Sequence, residues 1–234
     1  MFDKKEIERY QRQIKLSEIS FAGQKKLKTA KVLVVGAGGL GSPVLKYLAA
    51  AGIGNIGIFD GDTVSLSNLQ RQILYATADI GKPKAETAAQ HLLKLNPNIQ
   101  IFYRNEFFNT SHSAGMAPYD VVIDCTDNYE ARIANSLACR EHKKPMVYGA
   151  VFRFEGQISV FNYNGSKAYH EIFTKEQTEK HVQNEEGIIG AVPAVIGSLQ
   201  VCETVKIILG IGQVLSGKLL YYNALKSSFY EIAL

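Results

Sequence analysis

The sequence predicts an α/β chain: a Rossmann-like, doubly wound sheet with a parallel N-terminal half and a C-terminal half extended by antiparallel strands. Three observations predict it. Short apolar runs at 32–35, 56–59 and 121–125 alternate with segments of helical period, the pattern of βαβ units whose strands are buried on both faces. The first run ends in Gly36-Ala37-Gly38-Gly39-Leu40-Gly41 and the second in Asp60, so that strand, glycine turn, helix, strand and terminal acid follow one another. Beyond residue 144 the pattern changes. Strand-like runs at 145–151 and 156–162 succeed each other without a helix, joined by Phe152-Arg153-Phe154-Glu155.

Taken in order, residues 4–15 predict a short helix bearing Arg9, Tyr10 and Arg12, and 22–29 a further helical turn leading into the first strand. After the glycine turn, Val44, Leu45, Leu48 and Ala49 recur at helical spacing. Gly61-Asp62 and Asn68-Leu69-Gln70-Arg71-Gln72 form a polar loop or irregular helix, and Gly81-Lys82-Pro83-Lys84 punctuates the chain. A helix over Lys84–Leu95 stops at Asn96-Pro97, and a strand follows at 99–103. The strand at 121–125 ends in Thr126-Asp127-Asn128, before a helix at 129–142. Residues 164–190 are polar and poorly periodic and read as a mobile loop or lid. A helix over Ala191–Leu209 and strands at 218–222 and 228–232 close the fold. The expected organisation is a single domain: a helical arm at 1–30, a nucleotide-binding part at 31–144 and an antiparallel part at 145–234.

With 234 residues, 46% of them hydrophobic, the chain can bury one sizeable core. Its longest apolar stretch, 188–212, carries Ser198, Gln200, Glu203 and Lys206, which marks a core helix and not a membrane span. The start, MFDKKEIERYQ, lacks the apolar region of a secretory signal. Cys125, Cys139 and Cys202 form no C-x-x-C pair, so neither a disulfide framework nor a cysteine-based zinc site is expected, and a cytoplasmic location is. Residues 1–31 hold nine Lys/Arg against four Asp/Glu, more than the whole net charge of +4. A basic segment beside a phosphate loop points to a nucleotide or an acidic partner before nucleic acid, with a solvated helical face as the plainer reading.

The glycines allow close backbone approach to phosphates, and the helix that follows presents free N–H groups to an anion. Asp60 is placed to accept hydrogen bonds from ribose hydroxyls, or else to cap the next turn. Asp60, Asp62, Asn68, Arg71, Lys84, Asp127 and Asn128 all fall on the sheet's carboxyl edge, where strand ends converge on one crevice. A dehydrogenase does not need two cations and a second acid there. A triphosphate site does: Arg71 and Lys84 offset phosphate charge, and Asp127 can hold Mg²⁺ with water completing the octahedron.

These strings together resemble the MoeB/ThiF/HesA family, relatives of the ubiquitin-activating enzymes. They are RYQRQI at 9–14, GAGGLGS at 36–42, DGDTVSLSNLQRQ at 60–72, GKPK at 81–84, DCTDN at 124–128, EGQISVF at 155–161 and Ile196-Gly197-Ser198-Leu199-Gln200. The resemblance runs from about residue 8 to the C-terminus. It implies ATP- and Mg²⁺-dependent adenylation of the C-terminal Gly-Gly carboxylate of a ubiquitin-fold sulfur carrier, in molybdopterin or thiamine synthesis. It implies that Gly36, Gly38, Gly39 and Gly41 shape the nucleotide loop and that Asp60 holds the ribose. Asp62 and Asn128 join the nucleotide site, Asn68, Arg71 and Lys84 meet the phosphates, and Asp127 binds Mg²⁺. Arg12 matches an arginine that reaches the partner protomer's site in a homodimer; its local alternative is a salt bridge. The strands at 145–162 are then the platform for the carrier.

The departures from the family pattern carry expectations too. The zinc-binding C-x-x-C pairs of many members are missing at Ala168-Tyr169-His170-Glu171 and before Leu234, so no structural zinc is expected. No cysteine lies near Gln183, so thiolation is left to a separate sulfur donor. Cys125 reads as an inert buried thiol. Competing readings are adenylation of a peptide or small carboxylate, an NAD-dependent oxidoreductase and a non-catalytic nucleotide-binding scaffold.

Overall fold

The computed structural model describes residues 2–175 and 187–234. The glycine-ended apolar run forms β1 (Lys31–Val35), and its successors are β2 (Asn55–Phe59), β3 (Gln100–Arg104), β4 (Val121–Asp124), β5 (Met146–Phe152), β6 (Glu155–Phe161), β7 (Lys218–Asn223) and β8 (Ser228–Ala233). They make one sheet in the order β3-β2-β1-β4-β5-β6-β7-β8. Helices α1 (Lys4–Ile14) and α2 (Ser20–Thr29) precede it. Helices α3 (Gly41–Ala51), α4 (Lys84–Leu95) and α5 (Tyr129–Glu141) connect its parallel strands, and α6 (Ala191–Leu209) precedes β7. Boundaries agree with the sequence reading to within one or two residues. The 3₁₀ stretch Thr110–Met116 was not foreseen, because Ser, His and Gly give it no apolar period.

Alternation along each strand explains the layers. Val32, Val34, Ile56 and Ile58 face Leu45, Leu48 and Leu92 of α3 and α4 and Ile196 of α6. Leu33, Val35 and Val122 face Ala134 and Ala138 of α5 on the other side. Both faces of β1 are therefore covered, which is why its sequence is a continuous apolar run and not an alternating one.

The expected antiparallel extension at 145–162 begins one strand later than read. β5 pairs in parallel with β4, Val122 opposite Met146, because α5 serves as its crossover. Only at the two-residue turn Arg153-Phe154, with Arg153 at φ 50°, does the chain reverse into β6. β7 and β8 continue the antiparallel half.

The segment expected to be a lid, 164–190, falls partly outside the described residues. Its described part is packed: Tyr169 is buried and stacks with Phe173 at 4.8 Å, beside Tyr148 and Phe161. Aromatic residues spaced without a period bind this segment to the core, a signal that hydrophobic periodicity misses.

Helix α6 has the length and composition to cross a bilayer, yet it lies against the sheet and α3. Its buried polar residues are used within the fold. The Gln200 amide donates to Asp124 O (2.8 Å) and Val147 O (3.2 Å), and Glu203 accepts from Leu215 N (2.9 Å).

Candidate functional site

β1 sits between β2 and β4, and the chain leaves it toward β2 through α3 and later returns on the other side as β4. The carboxyl ends of β1 and β4 therefore part at a topological switch point, where a crevice opens. A cleft of about 1310 Å³ lies there. It gathers Gly36, Gly38, Gly39, Asp60, Asp62, Arg71, Lys84, Asp127 and Asn128, and runs on to the β5–β6 hairpin.

The glycine loop is shaped by two different demands. Gly36 has φ +97°, and a Cβ there would stand 2.6 Å from Cys125 O. A Cβ on Gly41 would overlap Gly36 O. These two glycines are required by the chain's own packing. Gly38 and Gly39 are not: a Cβ would meet nothing nearer than 3.5 Å (Gln72 Nε2) at the first and 3.6 Å (Arg71 and Pro193) at the second. What a side chain would take from them is the space above the loop. No side chain caps the N-terminus of α3, but Ser42 N and Val44 N already donate to Gly38 O (2.9 Å) and Leu40 O (3.3 Å) and Pro43 has no N–H, so the backbone offered to an anion is that of the glycine loop and the very start of the helix. The loop is held from beneath by the buried Tyr75 hydroxyl, which donates to Ala37 O (2.9 Å).

Asp60 both ties the loop and caps the next turn. Its Oδ2 accepts from Ala37 N (2.7 Å) and its Oδ1 from Asp62 N (2.8 Å). Each oxygen keeps further acceptor capacity for a ribose hydroxyl. Burial raises its pKa, against the pull of those two amides. Lys84, buried at the start of α4, meets the exposed Asp62 carboxylate at 2.9 Å. Arg71 lies over Gly39 and donates to Ser67 O (3.1 Å). Asp127 is exposed in the turn after β4. Asn128 caps α5 by accepting from Ala131 N (2.9 Å).

Three of the sequence-derived candidates do not line the cleft. Gly41 lies within α3. Asn68 accepts from Ser65 N (3.2 Å) and orders the short 3₁₀ turn Leu66–Asn68 that precedes Arg71. Arg12 stands exposed on α1, away from the cleft within this chain.

The structure adds residues that motif reading passed over. Gln72 is buried beside the loop, with its Oε1 unpartnered. Asp124 and Asn135 are fully buried and Arg132 nearly so, grouped under the 126–128 turn. Sequence offered one signal for this group, the i, i+3 polar pair Arg132 and Asn135 on the inward face of α5. Cys125 is buried with its thiol pKa pushed well up by desolvation, the state of an inert thiol. Among the described residues, no three His, Cys, Asp or Glu side chains cluster as a metal site.

These features fit a nucleoside triphosphate: an open cradle over Gly38 and Gly39, two cations, an acid at the ribose position and one exposed carboxylate for a hydrated Mg²⁺ that phosphates would share. Fold and site thus define a nucleotide-binding α/β protein of the doubly wound class.

Comparison with known proteins gives the family. Residues 10–234 match the ThiF family, and the chain belongs to it. It is 42% identical to the molybdopterin-synthase adenylyltransferase of Escherichia coli, covering 98% of this chain and 93% of that protein. It is 42% identical to the sulfur carrier protein adenylyltransferase of Thermus thermophilus, covering 98% and 88%. It is 46% identical to a probable molybdopterin-synthase adenylyltransferase of Porphyra purpurea, covering 96% of this chain but 60% of that protein. It spans about half the length of the adenylyltransferase and sulfurtransferase MOCS3 of Aedes aegypti. In structure it is similar to Escherichia coli MccB crystallised with MccA-N7isoASN, with a TM-score of 0.85 at 22% identity, over 97% of this chain and 71% of that one. That likeness shows the fold.

Proposed function

We propose that this chain is an ATP-dependent adenylyltransferase that activates the C-terminal Gly-Gly carboxylate of a ubiquitin-fold sulfur carrier in molybdopterin or thiamine synthesis. The observation that carries the reading is one continuous cleft. Its first part holds Asp60, Arg71, Lys84 and Asp127 around the glycine loop, and its second part runs along the β5–β6 hairpin. The named activities of the bacterial relatives, matched over nearly their whole length, support it.

In this reading the glycine loop and the amino end of α3 seat the phosphates, Asp60 fixes the ribose, and the tail lies along the β5–β6 side. A tail carboxylate oxygen attacks the α-phosphorus. The bond to the bridging oxygen breaks, and pyrophosphate leaves as the acyl-adenylate forms. Positioning and charge stabilisation suffice, so no protein nucleophile is required. Arg71 and Lys84 balance the charge of the phosphates, Lys84 exchanging its bond to Asp62 for one to phosphate. Mg²⁺, held by Asp127 and the phosphates, would neutralise charge on the departing pyrophosphate. Asn68 acts by shaping the turn before Arg71, and Arg12 completes the site of a partner protomer in a cytoplasmic homodimer. Sulfur comes from a separate donor. Arg71 and Lys84 beside the glycine loop, with the exposed carboxylate of Asp127 across from them, favour this over hydride transfer to NAD.

ATP–pyrophosphate exchange tests it, run with Mg²⁺ and with carriers ending in Gly-Gly from either pathway. Exchange that depends on one carrier is the expected result. The absence of exchange with every carrier, despite ATP binding, would overturn the assignment.

A further inference from the structure

The group under the 126–128 turn has a cost that needs an explanation. Asp124 is fully buried and Arg132 is 6% exposed, yet Arg132 Nε and Asp124 Oδ2 stand 3.8 Å apart, too far for a hydrogen bond. Asp124 Oδ2, Arg132 Nε and Asn135 Oδ1 are all buried without a hydrogen-bond partner. A buried ion pair is seldom kept for stability alone, since apolar residues of like size serve as well.

What this pair does is hold one residue from two sides. Asp124 Oδ1 accepts from Thr126 Oγ1 (2.7 Å) and Thr126 N (3.3 Å), with Asn135 Nδ2 donating to the same oxygen (2.8 Å). Arg132 Nη2 donates to the Thr126 carbonyl (3.1 Å). Thr126 directly precedes Asp127, whose exposed carboxylate accepts from Asn128 Nδ2 at 3.3 Å. The clamp on Thr126 therefore fixes the backbone from which the Asp127 carboxylate extends. The other side of Arg132 faces the second part of the cleft. Its guanidinium lies 5.5 Å from the centre of the Tyr148 ring on β5 and is hydrogen-bonded with Tyr169.

Resting on the adenylation reading, we propose that Arg132 is a positioning residue: paired with Asp124, it holds the Thr126 backbone so that Asp127 is aimed at the nucleotide-bound cation, and through Tyr148 and Tyr169 it links that aim to the tail side of the cleft. It acts through Asp127 and touches neither phosphate nor metal.

The test uses Mn²⁺ as the cation and a non-hydrolysable ATP analogue, with Mn²⁺ binding read by electron paramagnetic resonance in the full chain. Arg132→Gln should weaken Mn²⁺ binding in the ternary complex about 10- to 100-fold, the range expected when an outer-shell partner of a metal ligand is lost. Binding of the analogue without cation should stay unchanged. Thr126→Val removes the hydroxyl clamp while leaving the ion pair, and should give a smaller shift in the same direction. If Arg132→Gln does not fold, Thr126→Val and Arg132→Lys decide. Unchanged Mn²⁺ affinity in a folded variant overturns the proposal. This readout needs no carrier, so absent exchange in the unaltered protein would count against adenylation and not against the clamp.

Discussion

Two loops leave neighbouring strands at the switch point, and they are held in place by opposite means. The loop after β1 is fixed by absence: Gly36 and Gly41 have no side chains because backbone atoms occupy that space. The turn after β4 is fixed by presence: Asp124, Arg132 and Asn135 fill the space beneath it with buried charge and amide. In the proposed reading one loop presents backbone N–H groups to phosphates, and the other presents a single carboxylate. The difference teaches that a backbone site can be made rigid by close packing alone. A side-chain site needs a second set of side chains under it.

Substitutions can break or sharpen that contrast. The largest effect belongs to the turn. Asp127→Ala should lower carrier-dependent turnover by at least about 100-fold, the scale of losing one charge-stabilising group. Because Asp127 is exposed, stability should stay within about 0.5 kcal/mol. Turnover close to that of the unaltered protein would remove the carboxylate from the site.

The glycine loop should respond in the opposite sense. Gly36→Ala introduces a Cβ at φ +97°, 2.6 Å from Cys125 O, and should cost about 1–3 kcal/mol of stability by denaturant titration. Gly38→Ala sharpens the argument, since the fold has room for its methyl. It should leave stability within about 0.5 kcal/mol and weaken ATP binding about tenfold, or about 1.4 kcal/mol, by calorimetry. If Gly38→Ala destabilises as much as Gly36→Ala, the division into packing glycines and ligand glycines fails.

The smallest effect concerns the one charged anchor of the glycine loop. Burial raises the Asp60 pKa above its ordinary 3.8, so the folded form holds the proton more tightly than the unfolded form. Its contribution to stability is greatest below 3.8 and declines as pH rises through the raised folded value. Asp60→Asn should flatten that part of a melting-temperature profile. Asp124, also raised by burial, would still slope the same way. A profile identical to that of the unaltered protein would mean Asp60 does not titrate differently on folding.

The same contrast explains what could be read from the chain. The glycine loop is contiguous, so its spacing shows in the sequence. Asp60 and Asp127 sit at or just beyond strand ends, where topology alone gathers them. The clamp on the turn was hidden because its parts are scattered: Asp124 closes a strand, Arg132 and Asn135 are one helical turn apart, and Tyr148 and Tyr169 arrive from elsewhere. No short window holds them together. β5 was misread for a related reason, since its own residues say only that it is a strand. Its direction against β4 depends on α5 lying between them.

Helix α6 carries a consequence for the order in which this protein can be made. Gln200 closes over Asp124 O and Val147 O, and Gly197 lets α6 seat against Leu40 and Pro43 at the start of α3. The floor of the cleft is thus finished by a segment translated long after the strands it completes. A nascent chain of 144 residues would contain the glycine loop, Asp60 and Asp127, and still lack the helix that covers their apolar underside. Synthesis must pass Leu209 before the cleft has a finished floor, which puts this fold among those whose far-apart contacts slow assembly and leave the early half in need of protection.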